Sequence, residues 1–242
     1  MTLRSLIVAV LVVSFSAHAV DCPAPPDAAV GSLARQSADA RLQFMAKRFQ
    51  EESDAAKRWT AVWGGSYAAL TLVQLALIGV FPREEQPDWY WGALSSAVGV
   101  AFSVLGPLEV MDAGPVFAKR AAAATGEGSD EQKTCELLVE GERMLREGAD
   151  AQNFSRAWFI HVGNVLFNVG IGLVLGLGYG RWTSAAINAL SGAAIGELTI
   201  FTSPNQLISG WDEYRSGPKA KSPVTIHVVP TAGPGLGLVI NF

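Results

Sequence analysis

From Trp59 to Phe81 the chain runs for 23 residues without a charged side chain. About 20 apolar residues suffice to carry a helix across the hydrocarbon core of a bilayer. There every backbone N–H and C=O must be satisfied inside the segment, so helix is the conformation that works. Three more apolar segments follow: Trp89 to Met111, uncharged until Glu109; Ala157 to Tyr179; and one beginning at Trp182 and fading near Thr202, with Glu197 inside it. The first and third are strongly apolar. The second and fourth are rich in Ala, Ser and Gly, and either alone reads equally as a buried helix of a soluble protein.

Tryptophan placement separates the two readings. Six of the seven tryptophans (Trp59, Trp63, Trp89, Trp91, Trp158, Trp182) stand within a turn of a segment's start. An indole ring prefers the headgroup layer, where its apolar body is buried and its N–H is satisfied. A soluble core has no reason to collect them there. Charged residues make up 17% of the chain, against roughly 25% in ordinary soluble domains. The expectation is an all-α integral membrane protein whose four transmembrane helices form two hairpins, residues 59–111 and 157–203. Its partners are the lipid bilayer and either a second copy or another envelope protein. The net charge is only −4 and the basic residues are scattered, which speaks against nucleic acid as a partner.

Residues 1–19 carry Arg4, an apolar run from Leu6 to Phe15, and the small residues Ala17 and Ala19 of a cleavage site. This is the pattern of a secretory signal peptide cut after Ala19. Export would place Cys22 and Cys135, the two cysteines of the chain, in an oxidising compartment, where they are a disulfide candidate.

A polar, helical stretch precedes each hairpin. In residues 20–58, Ala34, Ala38, Leu42, Met45 and Phe49 fall on one face. In residues 112–156, read as a loop and a helix, Leu138, Gly141, Met144 and Leu145 do the same, and Glu142 is spaced to reach Arg146 at i+4. In the tail, residues 204–242, a linker leads to two β-prone runs around a turn, a candidate small hairpin. A cleaved signal places both amphipathic stretches and the tail outside the cytoplasm. That side then holds 15 Lys and Arg against two on the other, the reverse of the positive-inside tendency. The inner membrane, with both termini extracytoplasmic, is the favoured location and the outer membrane the alternative.

Within the third segment, Asn164, Asn168, Gly172, Gly176 and Gly180 recur every fourth residue and so form one ridge. Gly172, Gly176 and Gly180 make two overlapping G-x-x-x-G units, a surface on which another helix can approach closely in lipid. At the polar end His161, Asn164 and Asn168 share a face, and Glu197 is the acid well inside the fourth segment. Polar groups in hydrocarbon must find partners, and Gln74, Asn188 and Ser191 are candidates. The glycines do not follow a strand, so no dinucleotide loop is read here. No nucleophile–base pair, metal-ligand spacing or cofactor motif is visible, and the expectation is not an enzyme. The function expected is structural or scaffold, exerted through helix packing and extracytoplasmic helices; a channel or transporter subunit using the polar face of the third span is the alternative.

Overall fold

The computed structural model describes residues 22–106, 108–125, 130–217, 225–230 and 236–241. The segment read as a signal peptide lies outside them. The body is helical, and three stretches are long and apolar enough to cross a membrane: Ala38–Ile78, Trp158–Gly178 and Trp182–Ser216.

The first helix, α1 (Ala38–Ile78), begins at Ser37, whose hydroxyl accepts from the Ala40 N–H. It continues for 41 residues. The sequence reading divides it at residue 58, but the stretch from Gln50 to Trp63 has no Gly or Pro to stop a helix, and none stops there. At 1.5 Å per residue α1 is about 60 Å long, roughly twice the hydrocarbon thickness. Its first half packs in a helical bundle, and its second half carries the uncharged run that is apolar enough to cross a membrane.

The expected second span is not among these three stretches. α2 (Gln86–Leu105) packs along α1, but it falls outside the set of helices apolar enough to cross. Asp88, Gly92, Ser95, Ser96, Gly99 and Ser103 dilute its hydropathy. Its helix ends at Leu105, capped by Gly106, short of the Met111 boundary read from sequence. Met111 belongs instead to α3 (Leu108–Ala124), a helix where a loop is expected. Pro115 reads as a helix breaker because it has no N–H for the carbonyl four residues earlier, that of Met111. The structure supplies a substitute donor: Ser53 Oγ, on α1, donates to Met111 O at 2.5 Å. A Cβ at Gly114 would lie 2.5 Å from Phe49 O, so glycine is what lets α3 lie against α1.

α4 (Glu131–Ser155) starts at Asp130, whose carboxylate accepts from the Gln132 N–H. α5 (Trp158–Leu173) widens into a π turn over Val174–Gly178, and α6 (Trp182–Phe201) returns alongside it. The reversal is built on Gly180, at φ +70°, with the Gly180 and Arg181 N–H groups donating to Gly176 O and Leu175 O. α7 (Gln206–Ser216) occupies part of the expected tail. Beyond it, β1 (Thr225–Pro230) and β2 (Leu236–Asn241) pair antiparallel with Thr225 opposite Asn241, and residues 231–235 between them lie outside the described residues.

The bundle is assembled from the first half of α1 with α3, α4 and α7. Ala34, Ala38, Leu42, Met45 and Phe49, the face read from sequence, are buried against Phe117, Leu138, Leu145 and Leu207. Fully burying one Leu, Met or Phe side chain is worth about 1.5–3 kcal/mol, so this cluster is an ordinary water-driven core. Phe49 and Phe117 meet edge to face with centroids 4.9 Å apart. Gly141 admits the Phe117 ring, which would stand 2.5 Å from a Cβ there. Cys22 and Cys135 are joined by a disulfide that pins the N-terminal segment to α4.

Candidate functional site

Two polar arrangements stand out, one in the bundle and one between the apolar helices α5 and α6. In the bundle Arg41 is 1% exposed and every arm of its guanidinium is used. Nε donates to Tyr214 Oη at 2.8 Å, Nη1 to Cys22 O at 2.9 Å and Nη2 to Pro23 O at 3.2 Å and to Glu142. Tyr214 also donates to Glu142. Burial, and then the adjacent carboxylate, pushes the Tyr214 phenol up from its ordinary value, so it stays protonated as a donor. Glu142 thus turns inward to Arg41 and not along the helix to Arg146. Glu52, 2% exposed, accepts from the Gln206 N–H at 3.1 Å at the start of α7, beside Gln152, which accepts from Leu207 and Ile208. Burial pushes the Glu52 carboxyl up, and these hydrogen bonds hold part of that back. The network ties four separate segments together.

Between α5 and α6 the residues singled out in the sequence do meet. His161 Nδ1 lies 2.5 Å from Glu197 Oε2. Asn164 Nδ2 donates to Ala193 O at 2.9 Å and to Glu197 Oε1 at 3.0 Å. Asn168 Nδ2 donates to Asn164 O at 2.9 Å and to Asn164 Oδ1 at 3.0 Å. The spacing i, i+3, i+7 puts all three on the side of α5 that faces α6, so the ladder's partners are Glu197 and backbone, not the Gln74, Asn188 and Ser191 proposed from sequence.

The ladder depends on two glycines that the sequence reading missed. A Cβ at Gly196 would fall 2.1 Å from Asn164 Oδ1, and one at Gly192 would fall 2.0 Å from Asn168 Oδ1. The relation then inverts along the pair. A Cβ at Gly172 would meet Ala185 O at 3.0 Å and Ala189 Cβ at 3.1 Å, and one at Gly176 would meet the Trp182 ring at 2.6 Å. Large residues of α5 thus face small ones of α6, and small residues of α5 face larger ones. The missed signal was Gly192-Ala-Ala-Ile-Gly196, an i, i+4 glycine pair in the fourth segment. Gly180 leaves the ridge: it shapes the turn, with open space around it.

Asn164 and Asn168 also form one wall of a cavity of about 460 Å³ between the α1/α2 pair and the α5/α6 pair. Gln74 contributes from α1, Ser95 and Ser96 from α2, and Asn188 and Ser191 from α6; His161 and Glu197 are not part of the lining. No Asp, Glu, Lys or Arg lines it. Each end is tied across the two pairs. Toward the bundle, Tyr67 Oη and Thr199 Oγ1 are 2.9 Å apart, Trp59 Nε1 donates to Thr199 O at 3.3 Å, and Trp63 Nε1 donates to Thr202 Oγ1 at 2.9 Å. At the far end Arg181 holds Asp88 bidentately, Nε to Oδ1 at 2.8 Å and Nη2 to Oδ2 at 2.5 Å, while Ser184 Oγ donates to Asp88 Oδ2 at 2.8 Å. What this arrangement can do is hold a neutral molecule between the two pairs of helices. Among the described residues no group of three or more His, Cys, Asp or Glu could hold a metal ion. No family model, curated protein or solved structure matches the chain.

Proposed function

We propose that the chain is an integral membrane protein of the cell envelope with a structural or scaffold role, in which apolar helices hold an extracytoplasmic helical bundle rigidly at the bilayer surface. The observation that carries this reading is α1, one 41-residue helix shared by bundle and membrane without a break. A domain tethered for free movement would have a linker there; a shared helix fixes its height and tilt. In this reading α2 is a fourth crossing, so the apolar helices form two hairpins, and both termini are extracytoplasmic, with β1 and β2 as a terminal hairpin. The disulfide supports the oxidising side for the bundle and weighs against the positive-inside count. The membrane is the inner one, with the outer membrane as the alternative, and the partner is a second copy or another envelope protein.

Site-specific photocrosslinking in cells tests the role. A crosslinker placed at Val116 or Val139, exposed on α3 and α4, should capture a discrete polypeptide, the chain itself or a neighbour. Sidedness is tested by an impermeant thiol reagent, which after reduction should reach Cys22 and Cys135 in intact cells. The second reading, a channel or transporter subunit, is favoured by the cavity, whose polar lining comes from four helices. Solute flux through proteoliposomes of the purified chain, with no crosslinked neighbour in cells, would replace the scaffold reading by that one.

A further inference from the structure

The cavity between the helix pairs contains polar groups that the protein itself does not satisfy. Ser96 Oγ donates to Gln74 Oε1 at 3.1 Å, which leaves Gln74 Nε2 with no acceptor among the described residues. Asn188 Nδ2 donates to Ser184 O at 3.1 Å, which leaves Asn188 Oδ1 with no donor, and Ser95 Oγ has no partner among the described residues either. In water these vacancies would mean nothing. In the hydrocarbon region, where the proposed reading puts this cavity, each unmade hydrogen bond is costly, so a fitting occupant carries groups that accept from Gln74 and donate to Asn188. A hydroxyl can do either.

The rest of the lining narrows the occupant further. The absence of charged side chains leaves an ionic headgroup with nothing to neutralise it. Leu70, Val98, Phe102 and Phe167 line the space and are themselves 39–46% exposed, so the walls and mouth are apolar. The volume of about 460 Å³ falls within the roughly 300–1,000 Å³ of small-molecule sites. Glycine also clears the site where side chains need it: a Cβ at Gly92 would lie 2.9 Å from Gln74 Nε2. Gly163 is different, for it lines the cavity and a Cβ there would meet nothing within 4 Å.

We propose that this cavity binds a neutral, hydroxyl-bearing lipid, its hydroxyl groups directed to Gln74 and Asn188 and its hydrocarbon chain along the apolar walls, entering from the bilayer. The probe is a monoacylglycerol with a photoreactive diazirine on its chain, used with the full chain in phosphatidylcholine nanodiscs. A second probe carries the same chain on a sulfate head. The glycerol probe should label α2 and α5 peptides that line the cavity. That labelling should fall about fivefold in Gly163→Phe, which fills the space, and about threefold in Gln74→Leu, which removes the donor. Excess unlabelled monooleoylglycerol should suppress it in the parent protein, a readout independent of whether either variant folds. The sulfate probe should leave those peptides unlabelled. No labelling there in the parent, which would mean a cavity filled by water, overturns the proposal. So does equal labelling by the sulfate probe, or labelling that the unlabelled competitor fails to reduce.

Discussion

Arg41 in the bundle and Asn168 between the membrane helices are both almost wholly buried, at 1% and 4% exposure, yet their surroundings differ in kind. Arg41 keeps its charge and is surrounded by a carboxylate, a phenol and two carbonyls brought from distant parts of the chain. Asn168 is neutral, and its donors go to Asn164, one turn away. In the proposed membrane reading, the difference follows the solvent each region folds in. Around the bundle, water drives apolar surface together, and that drive is large enough to carry a desolvated ion pair if its geometry is complete. In lipid no such drive exists between helices, so adhesion comes from close backbone approach and from hydrogen bonds made by neutral groups. The bundle should therefore break when a charge loses its partner, and the membrane pair when its surfaces stop fitting.

The largest effect is expected from Glu142→Leu. It leaves the Arg41 guanidinium buried without its counter-charge, a change that typically costs 3–5 kcal/mol. Thermal melting of the detergent-solubilised protein, followed by proteolysis of the bundle, should report that loss. A variant that melts within about a degree of the parent would mean that Arg41 reaches water, and the contrast with Asn168 would dissolve.

Cys22→Ser comes next. The disulfide closes a loop with a sequence separation of 113 residues, and removing a native bridge from a small domain costs roughly 2–5 kcal/mol. Because Cys22 O also accepts from Arg41, loosening the N-terminal segment should weaken the network as well. Reductant should lower the parent's melting temperature and leave that of Cys22→Ser unchanged. If reductant shifts both equally, the bridge is not what holds the segment.

How much of this could be read from the chain follows the same division. Long uncharged runs are local signals, and the strongest of them correspond to helices apolar enough to cross. The α1 face from Ala34 to Phe49 was legible because a period of 3.6 is also local. α3 was not, since Pro115 argues against a helix until Ser53, 58 residues earlier, supplies the missing donor. Glu142 pointed to Arg146 by spacing, but a buried Arg41 outcompetes an exposed i+4 partner. His161, Asn164, Asn168 and Glu197, singled out because polar groups in an apolar segment need partners, do meet one another. Their packing was misread because one helix was considered without the facing surface, where Gly192 and Gly196 make the room. α7 was hidden for a similar reason, as its first N–H groups are met by Glu52 and Gln152 from other helices.

The membrane side of the comparison is sharpened by Gly172→Leu with Gly176→Leu. At Gly172 the obstacle to a side chain is the backbone oxygen of Ala185, which cannot rotate away, whereas at Gly176 it is the Trp182 ring. Overpacking of this kind costs about 1–3 kcal/mol, and most of it should come from Gly172→Leu alone. Melting of the two single variants in detergent separates them. Equal and negligible shifts would mean that α5 and α6 part freely in the membrane and that the ridge is not an adhesive surface.

The smallest effect is expected at Asn168, and its sign matters more than its size. Asn168→Ala removes hydrogen bonds within the membrane, where measured couplings average only about 0.6 kcal/mol. Gly192→Ala alone should cost more, because its methyl collides with the Asn168 carboxamide. If the carboxamide is the obstacle, its removal relieves the collision. The double variant should then be more stable than the sum of the two single losses, by most of the Gly192→Ala cost. A double-mutant cycle on melting in detergent measures this coupling directly. Additive losses would mean that Gly192 is glycine for some reason other than Asn168, and that the large-on-small fit of α5 against α6 does not extend to the polar end of the ridge.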